Sequence, residues 1–192
     1  TKPFELVSRQ TGGSFGLFNS FNSIGGQKGD LNYYALYQYK RGDGWRPNSG
    51  FNVNTFFTAL NYDVSDRLKI GVEFTHMNYL AQQPGGLTDD EFYSDPRASY
   101  TDQNWFKVNW NVASVKLEYK LSQTAKIEMR NFGLLASREA LGINLNKEDP
   151  YNEPRLLVAD NFRNYGTEIR YLKHYEINGK PSAFVLGTRL YH

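Results

Sequence analysis

Three histidines are the residues best suited to catalysis or metal binding in this sequence. They stand at His76, His174 and His192, and none has another histidine or a carboxylate at a convincing metal-ligand spacing. A Ser-His-Asp triad requires convergence in space, which positions along the chain do not indicate. The chain has no cysteine, so disulfides, thiolate metal sites and cysteine nucleophiles are excluded. We therefore expect no enzyme, no metal site and no cofactor.

Acidic residues and paired glycines are two further candidates for chemistry. The run Asp89-Asp90-Glu91 with Asp95 has the oxygen ligands that Ca²⁺ prefers, but it lacks the Asp-x-Asn-x-Asp-Gly order of a calcium loop. Solvated loop acids are therefore the favoured interpretation. The glycine pairs precede no helical pattern, so they are interpreted as turns and not as phosphate-binding loops.

The composition indicates strands joined by polar turns. Of 192 residues, 14 are Tyr, 13 are Phe and 17 are Gly, a mixture that disfavours helices. The net charge of +2 gives no reason to expect a nucleic-acid partner. No apolar run approaches the ~18–20 residues of a transmembrane helix. The opening Thr1-Lys2-Pro3, without a methionine, suggests a processed product or a fragment.

Apolar and polar residues alternate with a period of two through most of the chain, which predicts an all-β fold. In one predicted strand, Leu68, Ile70, Val72 and Phe74 alternate with polar residues and glycine. Between 104 and 121 the parity of the apolar residues flips, which predicts a β-bulge near Ala113-Ser114. Nine strands are predicted, at approximately residues 4–10, 14–24, 30–41, 51–63, 68–80, 104–121, 126–137, 163–175 and 183–191.

The predicted connections alternate between short and long. If consecutive strands are antiparallel, every short turn lies at one end of the sheet. The long connections at 42–50, 81–103 and 138–162 then lie at the other end. This sorting is typical of outer-membrane β-barrels, which have short periplasmic turns and long extracellular loops. The opposite strand faces carry charges of both signs, which suits a solvated channel wall. Since bacterial barrels close with an even number of strands, nine strands predict part of a larger antiparallel transmembrane β-barrel.

Two sets of motifs resemble the barrel of TonB-dependent outer-membrane receptors. The more specific set is QPGGLTD (83–89), DPR (95–97) and NWFK (104–107), which looks most like the ferric-citrate-type branch. The looser set is GSFG (13–16) with GDGWRPNS (42–49). The resemblance covers essentially the whole chain.

The resemblance implies a 22-stranded barrel closed by an N-terminal plug. Residues 1–192 would be the N-terminal part of that barrel, and the plug and the remaining strands are expected to be absent from the chain. The implied function is import of a ferric chelate, either ferric citrate or a siderophore complex. The implied partners are TonB, acting through the missing plug segment, and the lipid and lipopolysaccharide of the bacterial outer membrane.

Arginine and aromatic residues at the long-loop end would contact such a ligand. Ferric chelates are usually anionic, arginine forms bidentate bonds to carboxylates, and aromatic rings stack on flat chelates. These arginines could instead meet lipopolysaccharide or solvent. A different class also remains open, a soluble or surface β-domain that binds carbohydrate through Tyr and Trp. The predicted ligand-binding residues are Trp45, Arg46, Arg97, Tyr100, Trp105, Arg138 and Arg155, with Arg163 nearby in the chain.

Overall fold

The structure, a computed structural model, describes residues 2–142 and 155–192. These residues form one nine-stranded antiparallel sheet in which each strand pairs with the next along the chain. The predicted all-β, sequentially paired fold is therefore confirmed. The strands are β1 (Glu5–Gly12), β2 (Phe18–Lys28), β3 (Leu31–Gly42), β4 (Phe51–Asp63), β5 (Leu68–Gln82), β6 (Trp105–Lys120), β7 (Ala125–Gly142), β8 (Leu156–Ile177) and β9 (Lys180–Tyr191).

The sheet is open, since β1 and β9 each pair on one side only within the described part of the chain. The only helix among the described residues is α1 (Asp89–Ser94), whose six residues make less than two turns. No helix in this part of the protein is long and apolar enough to cross a membrane.

The short turns and long loops are sorted to opposite ends, as predicted. Four connections of two to four residues lie at one end, at 29–30, 64–67, 121–124 and 178–179. We call the strand halves near them the turn half of the sheet, and the opposite halves the loop half. The predicted loop at 138–162 was too long, because β7 and β8 remain paired from Arg138↔Asp160 to Gly142↔Leu156.

The predicted β-bulge near Ala113-Ser114 is wrong. The β5–β6 register runs without interruption through Phe74↔Ala113 and Glu73↔Ser114. The parity of the apolar residues flips in β5 at the same level, because Met77 and Tyr79 lie on the opposite face from Val72. The backbone pairing is therefore regular at this level. The parity flips because apolar residues move from one face of the sheet to the other along both strands.

The register assigns every side chain to one of two faces, because directly paired residues share a face. Face A carries aliphatic and aromatic residues in the turn half, as in the row Leu68–Tyr119–Ile127–Tyr171–Leu186. Face B carries charges at the same level, as in the row Lys116–Arg130–Glu168–Arg189. The sequence-based division of these residues between two faces is confirmed.

The charges of face B form a network around two lysines and two glutamates. The Nζ atom of Lys126 lies 2.6 Å from a carboxylate oxygen of Glu128 and 3.1 Å from one of Glu118. Lys116 Nζ lies 3.8 Å and 3.9 Å from the same two carboxylates. Glu118 and Glu128 lie directly opposite each other on β6 and β7. Both carboxylates share Lys116 and Lys126 as counter-ions, which offsets the repulsion between the like charges.

This sheet has almost no interior of its own. Among the described residues, only two apolar side chains, Ala81 and Ala136, are buried. Large apolar residues in mid-strand stay exposed, with Leu60 at 42% and Val115 at 40% of their full accessible area. A single-layer sheet leaves both faces to be covered by something else.

Candidate functional site

The loop end of the sheet brings four of the predicted ligand-binding residues together. Trp45 and Arg46 lie in the connection between β3 and β4, and Arg97 and Tyr100 lie in the connection between β5 and β6. These connections, residues 43–50 and 83–104, pack against each other, and we call them the two mouth loops. The segment between Gly142 and Arg155 lies outside the described residues.

Arg46 fastens the two mouth loops together. Its Nε donates to the carbonyl of Ala98 at 2.9 Å, and its Nη1 donates to the carbonyl of Gly85, also at 2.9 Å. Its Nη2 donates to Ala98 again and to the carbonyl of Pro84. Because its guanidinium nitrogens all donate to backbone carbonyls, Arg46 acts as a structural staple between the loops.

A second set of hydrogen bonds parallels the arginine. The Nδ2 of Asn48 donates to the carbonyls of Gln83 and Thr101. Thr101, only 3% exposed, donates from its own hydroxyl to the Gln83 carbonyl at 2.6 Å. A Cβ atom at position 85 would lie only 3.2 Å from that hydroxyl oxygen, and the φ angle of Gly85 is +79°. A side chain at position 85 would therefore be strained.

Arg97 lies on the outer side of this junction. Its Nε donates to the carbonyl of Trp45 at 3.1 Å, and its guanidinium carbon lies 5.9 Å from the ring centre of Phe15. The Trp45 and Phe15 side chains are themselves 45% and 47% exposed. Tyr100 is held by its backbone, whose N–H donates to the Pro84 carbonyl at 3.1 Å. This corner therefore presents one cation and exposed aromatic rings to the exterior.

The acidic run of the second mouth loop has a structural role. Thr88 and Glu91 form a reciprocal capping box at the start of α1, and the acidic residues of the first turn complement the helix dipole. Glu91 Oε2 accepts hydrogen bonds from both the backbone N–H and the hydroxyl of Thr88. No cluster of metal-ligating side chains occurs among the described residues. The loop thus contains a capped helical turn, which begins at the acidic run that the sequence analysis assigned to a loop.

The other three predicted residues are not part of the contact between the two mouth loops, although Arg155 bonds to the second of these loops. Trp105 is the first residue of β6 and faces side A, paired with Gln82 and Leu141. Arg138 lies within β7 and not in a loop, and its guanidinium donates to the carboxylate of Asp160. Arg155, directly before β8, donates from Nε to the side-chain oxygen of Gln103 at 3.2 Å. Arg163 faces side A opposite Leu135.

Face B of the loop half carries an aromatic surface that the sequence analysis did not identify. Arg138 and Asp160 are an isolated ion pair within this surface, and the guanidinium carbon of Arg138 lies 5.9 Å from the ring centre of Phe162. The parity flip in β5 and β6 was the signal that could have revealed it. By register, the aromatic members of this surface are Phe21, Phe51, Phe57, Tyr79, Phe106, Trp110 and Phe162.

A depression of about 640 Å³ lies between the second mouth loop and the ends of β7 and β8. Neutral polar groups such as Tyr100 and Thr101 line one side, and Leu141 and Val158 line the other. Its described lining contains a single charged residue, Glu91, which is engaged in the helix cap. This depression suits a ligand with apolar surface better than a bare polyanion.

Comparisons with known proteins place this geometry in a structural class. The unliganded ferric citrate transporter FecA superposes with a TM-score of 0.77 over 98% of this chain, at 18% identity. The ferripyoverdine receptor of the outer membrane of Pseudomonas aeruginosa, bound to ferripyoverdine, superposes with a TM-score of 0.79 over the whole chain, at 11% identity. The chain has the fold of a nine-stranded part of an outer-membrane receptor barrel.

The likeness extends over only part of those proteins. The chain spans 28% of the length of each of these two structures. No protein-family model matches the sequence, and a search of curated proteins gives no match. At these identities the comparisons establish the fold, whereas the residues that bind a ligand must be argued from this chain's own geometry.

Proposed function

We propose that this chain forms the first nine strands of the barrel of a TonB-dependent outer-membrane receptor that imports a ferric chelate. The observation that carries the proposal is the division of the turn half into an aliphatic face A and a charged face B on one uninterrupted sheet. A sheet that separates hydrocarbon from water accounts for an apolar face that no packed core of the described residues covers.

The free-energy cost of placing a charged side chain in lipid indicates which face meets the membrane. An arginine or lysine facing lipid at the bilayer midplane costs ~2–4 kcal/mol. Face B carries Lys116, Lys126 and Arg130 at the level where face A carries Val115, Leu117 and Ile127. Face A therefore meets lipid and face B lines the lumen. Since the sheet has no bulge, face B remains on the lumen side in the loop half as well.

The ligand would then enter past the mouth loops towards the aromatic surface of face B. Exposed rings at Trp45 and Phe15 and the cation of Arg97 would meet an anionic chelate at the rim. Trp110, which is 38% exposed, and Tyr79 would contact it deeper in the lumen. Arg46 would shape the mouth by holding the loops, and Arg138 would act with Asp160 as a pair.

The proposed transport step needs no covalent chemistry. The chelate binds to the mouth loops and to the apex of a plug, TonB pulls on the plug, and the chelate passes to the periplasm. The energy for release comes from the inner membrane through TonB, and this part of the barrel supplies the wall and the rim of the binding chamber.

The experiment is uptake of radioactive iron by bacterial cells that produce the full-length receptor. Ferric citrate and a ferric siderophore would be supplied separately, to cells with and without a functional TonB. We expect uptake of one chelate that requires both the receptor and TonB. Iron uptake that is equal without the receptor, for every chelate supplied, would reject the proposed function.

A further inference from the structure

A compact group of aromatic side chains lies on face B between β5 and β8. Trp110 and Phe162 pair with Ala136 from opposite sides, so their rings flank a small residue. The rings of Tyr79 and Phe106 meet edge to face, with their centres 6.3 Å apart. Because neighbouring strands lie ~4.8 Å apart, the whole group spans about 14 Å of the wall. We call Tyr79, Phe106, Trp110 and Phe162 the ring cluster.

Among the described residues, the middle of the ring cluster carries one ion pair and no other charge. Arg138 lies there, and its Nε donates to the Asp160 carboxylate at 3.0 Å. Its guanidinium carbon lies 5.9 Å from the ring centre of Phe162, within the ~6 Å of a cation–π contact. The face B residue opposite Arg138 on β6 is Val108. A ligand at this wall therefore meets rings and aliphatic carbon around a cation that is already neutralised.

Two further cations of the loop end lie outside the ring cluster, and each lies beside a ring. Lys40 Nζ lies 5.7 Å from the ring centre of Phe51, and the guanidinium carbon of Arg97 lies 5.9 Å from that of Phe15. Neither cation forms an ion pair with a described carboxylate, whereas Lys126 of the turn half lies beside two. The loop end thus combines aromatic surface with positive charge that no described carboxylate offsets.

Ferric citrate matches this wall poorly. Citrate has carboxylates and a hydroxyl group but no ring, so it would leave the ring cluster without a partner. Placing carboxylates against rings that offer no donors also costs free energy. Hydroxamate chelates have no rings either, and three singly charged hydroxamates neutralise Fe³⁺, so the cations would be unused. A chelate with both aromatic rings and a net negative charge matches both features of the wall.

We propose that the ring cluster binds the aromatic rings of a catecholate chelate of Fe³⁺, an inference that rests on the proposed import of a ferric chelate. Each catechol ring holds the metal through two ionised oxygens, so three such rings around Fe³⁺ leave a net negative charge. Aromatic rings attract one another in offset and edge-to-face arrangements. The charge of the complex suits the cations at Lys40 and Arg97. The substrate class therefore differs from the ferric citrate that the loop motifs suggest.

The first test compares chelates of three classes on the purified full-length receptor in detergent. Isothermal titration calorimetry measures the Kd of two tris-catecholates, ferric enterobactin and its linear hydrolysis product. The same measurement is made with ferrioxamine B, a tris-hydroxamate, and with ferric citrate. We expect the better tris-catecholate to bind at least 10-fold more tightly than either of these. Binding of ferrioxamine B or ferric citrate that is tighter, or within 10-fold, would overturn this inference and leave the proposed function standing.

The second test places the contact on the ring cluster. The double change Trp110→Leu with Phe162→Leu removes two rings and keeps the wall apolar. The matched control is Trp105→Leu with Phe74→Leu, the same two changes on face A. We expect the affinity for the tris-catecholate to fall at least fivefold in the first variant and to stay within twofold in the control. Equal affinities of the two variants would show that the rings cover another part of the receptor, and would overturn the inference.

A third test keeps every ring, in case the double variant does not assemble. A benzophenone amino acid at position 108, on face B opposite Tyr79, should crosslink to the bound tris-catecholate. One at position 109, on face A, should not. Capture at neither position, or equal capture at both, overturns the inference. Failure of every chelate to bind overturns it as well, whereas the proposed function is rejected only by iron uptake that does not require the receptor.

Discussion

At the scale of single residues, the arginines of the loop end divide into different roles. Arg46 is bonded to three backbone carbonyls and Arg138 to a carboxylate, so neither guanidinium is placed as a free arm for a ligand. Arg97 is anchored by a hydrogen bond from its Nε to the Trp45 carbonyl and lies beside the exposed ring of Phe15. The sequence grouped these residues by type, whereas the structure separates them by partner.

Arg97→Ala in the full-length receptor should weaken binding of the ferric chelate roughly 10-fold, because a hydrogen bond to a charged group contributes about 1.5–3 kcal/mol. The measurement is chelate titration followed by quenching of tryptophan fluorescence. Arg67→Ala, in a short turn at the opposite end, is the matched control and should bind as wild type does. If the Arg97 variant binds the chelate within twofold of wild type, this arginine is only a solvated loop charge and does not contact the ligand.

Arg46→Lys should loosen the mouth loops without unfolding the sheet. Lysine keeps the charge but cannot donate along several directions from a planar group, so most of the bonds to the second mouth loop are lost. Amide hydrogen exchange in residues 83–104 should speed up at least 10-fold, and exchange in β3–β6 should not change. Arg67→Lys serves as the control. Unchanged exchange in the loop would show that Asn48 and Thr101 hold the junction by themselves.

At the scale of elements, adjacent residues of one strand experience opposite surroundings. In β6, Val115 lies on face A opposite Val72, and Ser114 lies on face B opposite Glu73, whose carboxylate accepts a hydrogen bond from Ser114 Oγ at 3.4 Å. A strand can meet lipid on one side and a charged lumen on the other only if its register is fixed.

Val115→Arg should prevent assembly into the outer membrane, because a cation facing the bilayer midplane costs ~2–4 kcal/mol. Ser114→Arg, one residue away, should assemble normally since its side chain faces the lumen beside Glu73. The amount of heat-modifiable, membrane-inserted receptor measures the outcome. Equal assembly of the two variants would mean that face A does not meet lipid.

At the scale of the whole molecule, an open sheet with two uncovered faces is not expected to be stable by itself. Exposed residues such as Leu60 and Leu186, and unpaired edges at β1 and β9, are features that promote aggregation in water. The likeness to about 28% of each receptor structure fits a section of a barrel that neighbouring strands would complete.

The isolated 192-residue chain should therefore remain in solution only with detergent. Size-exclusion chromatography of refolded chain with and without detergent measures this, and we expect aggregates when detergent is left out. A detergent-free monomer with a cooperative unfolding transition would instead support the soluble carbohydrate-binding β-domain.

The sequence by itself determined the strands, their order and the two faces of the turn half, because period-two alternation and turn residues are local signals. The bounds of β4 (Phe51–Asp63) match the prediction. Loop motifs in the sequence also indicated a resemblance to receptor barrels, and the fold comparisons agree with that resemblance.

Only the tertiary structure decided what the parity flip means and what each arginine does. A flip in one strand suggests a bulge, but Phe74↔Ala113 pairs regularly and the flip recurs in the neighbouring strand, so both faces change surroundings along the sheet. Likewise, Arg46 bonds to Ala98, which is 52 residues away along the chain. Contacts of that range depend on how the loops meet in space, and no local pattern encodes them.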